Sequence, residues 1–308
     1  MTLALISGQG GLPPHLVRVM LARGDVPVVC EIEQFPSDVK GELPRITFRL
    51  ETLGTFLAIL KDTGVTQVCM AGAMSRPPID PAKIDAATMP LVPMVQQALA
   101  NSGDDGTLRI FIDIFEQAGL EVVGAADIDP ALLPATGVIG PVDLPDDIEA
   151  DIAVARAALA DMGRADQGQA VVVRAAQVVA LEDARGTDAM LEDLSSEVPS
   201  FGLSDNPFDL MGDALDAVAD WLSGPEAEAK RAAAPAQGGI LYKAPKPGQE
   251  LRVDMPLIGL KTAMRAAEAG LSGIVVEAGG VMLLNPEGVH QVLDGQRMFL
   301  WVRAGDGS

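Results

Sequence analysis

Residues 2–20, TLALISGQGGLPPHLVRVM, decide the fold. The short apolar run 3–7 stops at a glycine loop, Gly8-Gln9-Gly10-Gly11, followed by Leu12 and Pro13. Pro13 and Pro14 suit the first turn of a helix, where a missing N–H costs nothing. Leu16, Val19 and Met20 then recur at helical spacing. Strand, glycine turn and helix together form the opening unit of an α/β sheet. The pattern repeats outward. Residues 26–32 read as a second strand. Residues 50–63 read as a helix with Leu53, Phe56, Leu57 and Leu60 on one face and Gly64 as its C-terminal stop. A third strand, 65–70, ends in Ala71-Gly72-Ala73. Helices are predicted over 91–100 and 107–118, and a strand over 120–124. Strands alternating with helices imply a parallel sheet with right-handed crossovers, a Rossmann-like N-terminal half.

Proline at 130, 134, 141 and 145 marks a linker. The expected fold is therefore α/β with two α/β domains: a Rossmann-like parallel sheet over 1–134 and a mixed α/β domain over 135–308. In the second half, an acid-capped helix is predicted over 146–162, a hairpin or strand pair over 170–181 and a short helix over 186–194. Residues 195–237 combine loop-like sequence, a helix over 210–222 and linker composition, and read as a mobile insertion. A strand at 240–243, a helix over 256–269, and strands at 273–277, 281–284 and 298–302 complete the domain, the last closing the sheet.

The 308 residues carry 43 acids against 22 Lys plus Arg, a formal net charge of −21. Such a chain has no broad basic face for nucleic acid and no global attraction to anionic lipid. Any anionic ligand must be drawn by a local patch. No apolar run approaches the ~18 residues of a membrane span, and the N-terminus lacks the basic and apolar regions of a signal peptide. A cytoplasmic protein is expected. Cys30 and Cys69 lie in apolar, strand-like runs and read as reduced core thiols. Two Cys and two His make no zinc or thiol-catalysis pattern, which leaves a hard cation with oxygen ligands as the possible metal.

Five stretches carry candidate chemistry. The loop of Gly8, Gly10 and Gly11 can bring backbone N–H groups to a phosphate at a helix N-terminus. Pro13 breaks the GxGxxG pattern, but Glu31 lies where a ribose-binding acid would, so an NAD(P) enzyme competes as a reading. In MAGAMSRP, residues 70–77, Gly72 ends the third strand beside that loop and Arg76 can clamp a phosphate. In residues 102–109, SGDDGTLR, Asp104 or Asp105 caps a helix beginning near Thr107, and with Arg109 the pair would also suit a metal–phosphate site. In residues 182–191, EDARGTDAML, Thr187 and Asp188 start a helix, and Asp188 and Glu182 are candidate Mg²⁺ ligands. The densest cluster is 241–262, LYKAPKPGQELRVDMPLIGLKT. It gathers Lys243, Lys246, Arg252 and Lys261 around a buried-looking acid, Asp254, a set suited to a pyrophosphate with one carboxylate for metal or water.

Taken in order, GQGGLP, MAGAMSRP, DDGTLR, GQAVVV, EDARGTDAML and KAPKPGQELRVDMPLIGLKT resemble the LpxI-type UDP-2,3-diacylglucosamine pyrophosphatases of lipid A biosynthesis. The resemblance runs nearly the whole chain and departs over about 195–237. It implies two α/β domains with the substrate held between them. It also implies Mg²⁺-dependent hydrolysis of UDP-2,3-diacylglucosamine to UMP and 2,3-diacylglucosamine 1-phosphate (lipid X). Under it, Asp254, Asp188, Lys243 and Arg252 are the expected catalytic residues. Gly8, Gly10, Gly11, Gly72, Arg76, Asp104, Thr187, Lys246 and Gln249 are expected to bind substrate, and Asp254, Asp188 and Glu182 the metal. A lipid substrate further requires an apolar groove or work at a membrane surface. Met255, Leu257, Ile258, Met264 and Met282 are candidates for such a groove, although most of them read as plain core. Peripheral contact with the inner membrane and a homodimeric assembly are expected. Two alternatives stay open on the residues alone: an NAD(P)-dependent oxidoreductase, and a nucleotide-sugar-binding protein without turnover.

Overall fold

The first strand, β1 (Thr2–Ser7), is buried without alternation from Leu3 to Ser7. A parallel strand flanked by neighbours and covered on both faces requires that pattern. A computed structural model describes residues 2–74, 78–100, 104–165, 167–195 and 236–305. In it β1 pairs in parallel with β2 (Val28–Ile32) on one side and β4 (Val65–Ala71) on the other. β3 (Arg45–Phe48) and β5 (Glu121–Val123) form the edges, giving the all-parallel order β3-β2-β1-β4-β5. The order reverses between β1 and β4, the place where open α/β sheets offer a crevice at their carboxyl ends.

Helices α1 (Leu12–Ala22) and α2 (Leu53–Asp62) are crossovers of this sheet, and α3 (Val92–Ala100) and α4 (Asp104–Gln117) lead into β5. The predicted face of α2 is the buried one: Leu53, Phe56, Leu57 and Leu60 join the core, with Phe56 stacked on Phe48 at 3.9 Å between ring centroids. The short helix α5 (Ala125–Ile128) is tied back to α1. Arg18 can only donate to Nδ1 of His15, so the imidazole proton sits on Nε2 and points at Asp129, 2.6 Å away.

The second unit is built on a six-stranded sheet in the order β6-β13-β11-β9-β7-β8. Its centre is parallel: β9 (Ile240–Lys243), β11 (Gly273–Glu277) and β13 (Phe299–Arg303). The hairpin β7 (Ala170–Arg174) and β8 (Gln177–Leu181) joins β9 antiparallel, and β6 (Gly137–Ile139) joins β13 antiparallel. Alternation along β9 sorts the faces. Ile240 and Tyr242 pack with α6 (Ile148–Arg164), while Leu241 packs with α7 (Thr187–Leu194), α8 (Leu260–Glu268) and α9 (Pro286–Gln296). On the α6 face Tyr242 donates to Glu277 at 2.5 Å, and Arg156 of α6 pairs with the same carboxylate at 2.6 Å.

Several elements differ from their expected form. β3 was not anticipated, because an edge strand carrying exposed Arg45 and Thr47 has little apolar pattern. β6 lies inside the proline-rich stretch read as a linker, and it, not β13, is the sheet edge. Residues 281–284 contain β12 (Met282–Leu283), which pairs with β10 (Leu257–Ile258) in a separate ribbon. That pairing uses the residues expected to open a helix at 256, so α8 starts at Leu260. α4 starts at Asp104 rather than near Thr107. α9, opened by Asn285 capping the Gly288 N–H and by Pro286, had no counterpart in the sequence reading. The helix expected over 210–222 lies outside the described residues.

The chain divides into two compact units, Met1–Pro130 with Glu250–Asp254, and Ala131–Gln249 with Met255–Ser308. The division differs from a cut at 134/135 mainly in returning five residues of the second half to the first unit. Ile258 and Met264 belong to the core of the second unit and Met282 is buried, so these three candidates for an acyl groove are packing residues. Met255 and Leu257 are half-buried.

Gly273 provides a test of the second sheet. A Cβ there would lie 2.5 Å from ring carbons of Phe299 on the neighbouring strand. Gly273→Ala is expected to cost about 1–3 kcal/mol through forced repacking. Urea unfolding followed by tryptophan fluorescence checks it, and an unshifted midpoint would refute the close contact.

Candidate functional site: two strand-end clusters

In the first unit the carboxyl ends of β1 and β4 are zipped together. The Gln9 N–H donates to the Ala73 carbonyl at 2.9 Å and the Ala73 N–H to the Gln9 carbonyl at 2.8 Å. This approach explains two of the glycines. A Cβ on Gly8 would lie 2.4 Å from the Ala73 oxygen. Gly72 has φ +89°, and its Cβ would lie 2.7 Å from the Gln9 oxygen. The Gly10 N–H donates to the Asp38 carboxylate at 2.7 Å, so the chain's own anion sits at the glycine turn. Gly11 is the N-cap of α1. Glu31, the would-be ribose ligand, accepts the Ser37 N–H at 3.0 Å and lies 3.7 Å from Arg45. The loop geometry lends the dehydrogenase reading no support. Of the other residues expected here, Arg76 lies outside the described residues, and Asp104 is the first residue of α4.

The segment Glu250–Asp254 is held on α4 by a charge network. The Asp105 carboxylate accepts the Glu250 N–H at 2.8 Å and the Arg109 Nε–H at 2.7 Å. Arg252 forks onto both oxygens of Glu250, at 2.9 and 3.0 Å, and reaches Glu116 at 2.8 Å. Val253 packs against the apolar core of the first unit. Arg252, expected to neutralise phosphate, is thus a strut for the segment that carries Asp254. Arg109 and Asp105, expected to serve a metal–phosphate site, hold the same segment. Asp254 is half-buried rather than buried, and its N–H donates to the Glu250 carbonyl at 3.1 Å. Glu250 is the residue that sequence reading missed. Its signal was a Glu-x-Arg pair inside a block otherwise read for its cations. Hydrogen bonds from Arg252 hold its carboxyl below the ordinary 4.5, against partial desolvation, and the guanidinium is raised in turn.

In the second unit the cluster forms where β9 ends beside the start of α7. Lys243 is only 7% exposed. Its ammonium donates to the Thr187 hydroxyl at 2.8 Å, which donates to Glu182 at 3.0 Å. The other oxygen of Glu182 accepts the Gln169 N–H at 2.8 Å. Asp188 faces Lys261 of α8 at 3.2 Å. One turn further along α8, Arg265 pairs with Glu268 at 2.8 Å and faces Glu192 of α7 at 3.7 Å. Desolvation pushes the Glu268 carboxyl above its ordinary value despite that partner. Lys246 is buried, and its N–H donates to the Gln249 side chain at 2.8 Å.

Sequence reasoning therefore named Lys243, Thr187 and Glu182 separately, and the fold brings them into one line. Among the described residues no group of three or more His, Cys, Asp or Glu is arranged to hold a metal. Mg²⁺ does not need such a group when phosphate and water supply most of its oxygens. Glu182 has both oxygens engaged. Asp188 is half-buried beside Lys261, a carboxylate that would suit a singly anchored Mg²⁺ carried with phosphate.

A Rossmann-type unit and a mixed-sheet unit, each with charged groups at its strand ends, define a two-domain α/β protein. Residues 2–132 match the LpxI N-terminal domain, and residues 135–203 and 214–301 match the LpxI C-terminal domain. The chain belongs to the LpxI family. It is 34% identical over 298 residues to the UDP-2,3-diacylglucosamine pyrophosphatase LpxI of Caulobacter vibrioides, spanning 97% of this chain and 96% of that protein. Among solved structures, a partial-consensus L-threonine 3-dehydrogenase is 16% identical with a TM-score of 0.25, covering 50% of this chain and 47% of that one. A GalE-like L-threonine dehydrogenase from Cupriavidus necator is 13% identical with a TM-score of 0.30, covering 100% and 96%. Scores that low carry no argument. The break in the C-terminal match, 204–213, lies within the stretch read as an insertion.

The Glu250 network makes a pH prediction. A carboxyl lowered by folding contributes stability that is complete above its ordinary 4.5 and is lost as pH falls through the lower folded value. Hydrogen–deuterium exchange in a peptide spanning 250–254, corrected for intrinsic rates, is expected to rise in acid before the rest of the first unit opens. Protection that stays level down to pH 3 would rule this out.

Proposed function

We propose that this chain hydrolyses the pyrophosphate bond of UDP-2,3-diacylglucosamine, releasing UMP and 2,3-diacylglucosamine 1-phosphate. The observation that carries the reading is the end-to-end match of both domains to one family. The chemistry of the clusters agrees with it. Cleaving a phosphoanhydride requires charge neutralisation at the phosphoryl oxygens and a positioned water. Lys243 and Lys246, buried at and just beyond the end of β9, supply fixed positive charge. A buried ammonium acts on a phosphate far more strongly than a solvated one, because little water screens it.

Asp254 is assigned to the water, accepting its proton as the new P–O bond forms and the bond to the leaving phosphate breaks. Arg252, held by Glu250 and Glu116, keeps the segment bearing Asp254 in place. Mg²⁺, when bound, would polarise the phosphoryl oxygens and offset their charge, with Asp188 as its carboxylate donor in the second unit. The backbone N–H groups at the N-terminus of α7 are assigned to the phosphate side of the substrate, and Gln249 to keeping the turn after Lys246 in register. Glycines 8, 10, 11 and 72 shape the strand ends of the first unit against which a nucleotide would lie.

The lipid imposes its own demand. At ~0.8 kcal/mol per CH₂, a chain of about a dozen carbons carries on the order of 10 kcal/mol of membrane affinity. Free extraction into water is excluded on that scale, so we assign the enzyme to peripheral contact with a membrane face. No helix among the described residues is long and apolar enough to cross a membrane.

The direct test is UMP release from UDP-2,3-diacylglucosamine in detergent micelles, with Mg²⁺ and with EDTA. Release that needs Mg²⁺ is expected. A folded protein that releases no UMP across several detergents would overturn the assignment. Asp254→Ala is expected to lower turnover at least ~100-fold, the scale of a lost general base, while leaving the melting temperature and substrate binding close to wild type. Near-normal turnover in that variant would remove Asp254 from the mechanism.

A further inference from the structure

Glu182 was a candidate metal ligand, but its surroundings give it different work. We propose that Glu182 is a positioning residue that orients Lys243 through the Thr187 hydroxyl. This proposal rests on the pyrophosphatase reading for its functional part and on geometry for the rest.

The direction of the relay is forced by donor and acceptor chemistry. A lysine ammonium can only donate, and an ionised carboxylate can only accept. A hydroxyl standing between them at 2.8 and 3.0 Å must give its lone pair to Lys243 and its proton to Glu182. One orientation of the Thr187 hydroxyl remains, and it fixes one contact of the ammonium. The carboxylate end is equally constrained. Glu182 accepts the Gln169 N–H through its second oxygen at 2.8 Å, and its own N–H donates to the Ala170 carbonyl at 3.1 Å. Gly168, at φ +53°, makes the room: a Cβ there would lie 2.6 Å from the Glu182 carbonyl oxygen. The loop closes on the lysine strand, because the Ala244 N–H donates to the Gln169 carbonyl at 3.2 Å. The backbone of Gln169 thus holds Glu182 with one group and the residue after Lys243 with the other.

A ligand role would leave these bonds unexplained, since a cation needs only a lone pair on one oxygen. The positioning role uses all of them. Thr187 and Lys243 are both more than nine-tenths buried, so their contact is shielded from competing water.

Glu182→Gln is the near-isosteric probe. An amide has one acceptor where the carboxylate uses two, so it must forfeit either the Gln169 N–H or the Thr187 proton. Thr187→Val removes the hydroxyl at constant shape, and Thr187→Ser retains it. The expectation is a loss in kcat of about 10- to 100-fold for Glu182→Gln and for Thr187→Val, the scale of a disturbed supporting contact. KM and the Mg²⁺ concentration for half-maximal rate should stay within about 2-fold. The double variant should be no worse than the poorer single variant, and Thr187→Ser should keep most of the rate. Additive losses in the double variant would overturn the relay. So would a Glu182→Gln enzyme whose defect is repaired by raising Mg²⁺, since that is the signature of a ligand.

Thermal unfolding of the same variants needs no substrate. Non-additive shifts in Tm are expected from a shared network, and strictly additive shifts would overturn the relay even if the enzyme acts on another compound. Failure of the wild-type protein to release UMP would sink the pyrophosphatase reading alone.

Discussion

One charge network decides how this chain is partitioned. Arg252 grips both oxygens of Glu250, Asp105 takes the Glu250 backbone N–H, and Val253 enters the first core. Five residues from the second half of the sequence therefore belong to the first unit. A single exposed ion pair contributes only ~0–1 kcal/mol. This one is stronger by construction, since the carboxylate is mostly shielded, the guanidinium binds in a fork and a backbone donor is satisfied by the same acidic helix. The segment carrying Asp254 inherits its placement from those contacts.

Cations in this acidic protein are consequently of two kinds. Arg252 and Arg109 are consumed by carboxylates of their own unit and act as struts. Lys243 is buried at the end of a strand, and its ammonium donates to a hydroxyl. The glycine loop divides in the same way. Gly8 and Gly72 are there because two backbones meet, and the Gly10 N–H is taken by Asp38.

Much of the fold was legible because burial imposes periodicity. The runs at β1, β4, β9 and β11 and the stripe of Leu53, Phe56, Leu57 and Leu60 are patterns that core packing requires. Legibility failed where burial is slight. β3 and β6 are short edge strands with little apolar signal, and β10 and β12 are two-residue pairings made by their partners. The residue types of the site were visible too: Lys243, Thr187, Glu182 and Asp188 stood out as charged or polar groups beside apolar strands. Their partners did not, because hydrogen bonds such as Gln169 to Glu182 or Asp105 to Glu250 join residues far apart in the chain.

The sequence by itself determined the α/β class, the two-part organisation and, through ordered motifs along nearly the whole chain, the family. Each of these follows from local composition, spacing and motif order. Tertiary structure alone decided which acids and cations act on one another. It set Arg252 between Glu250 and Glu116, moved 250–254 into the first unit, and gave Glu182 a hydroxyl and an amide to hold. The reason is physical. Periodicity along the chain reports which face is buried, whereas the partner of a charge is set by where the fold brings distant strand ends together.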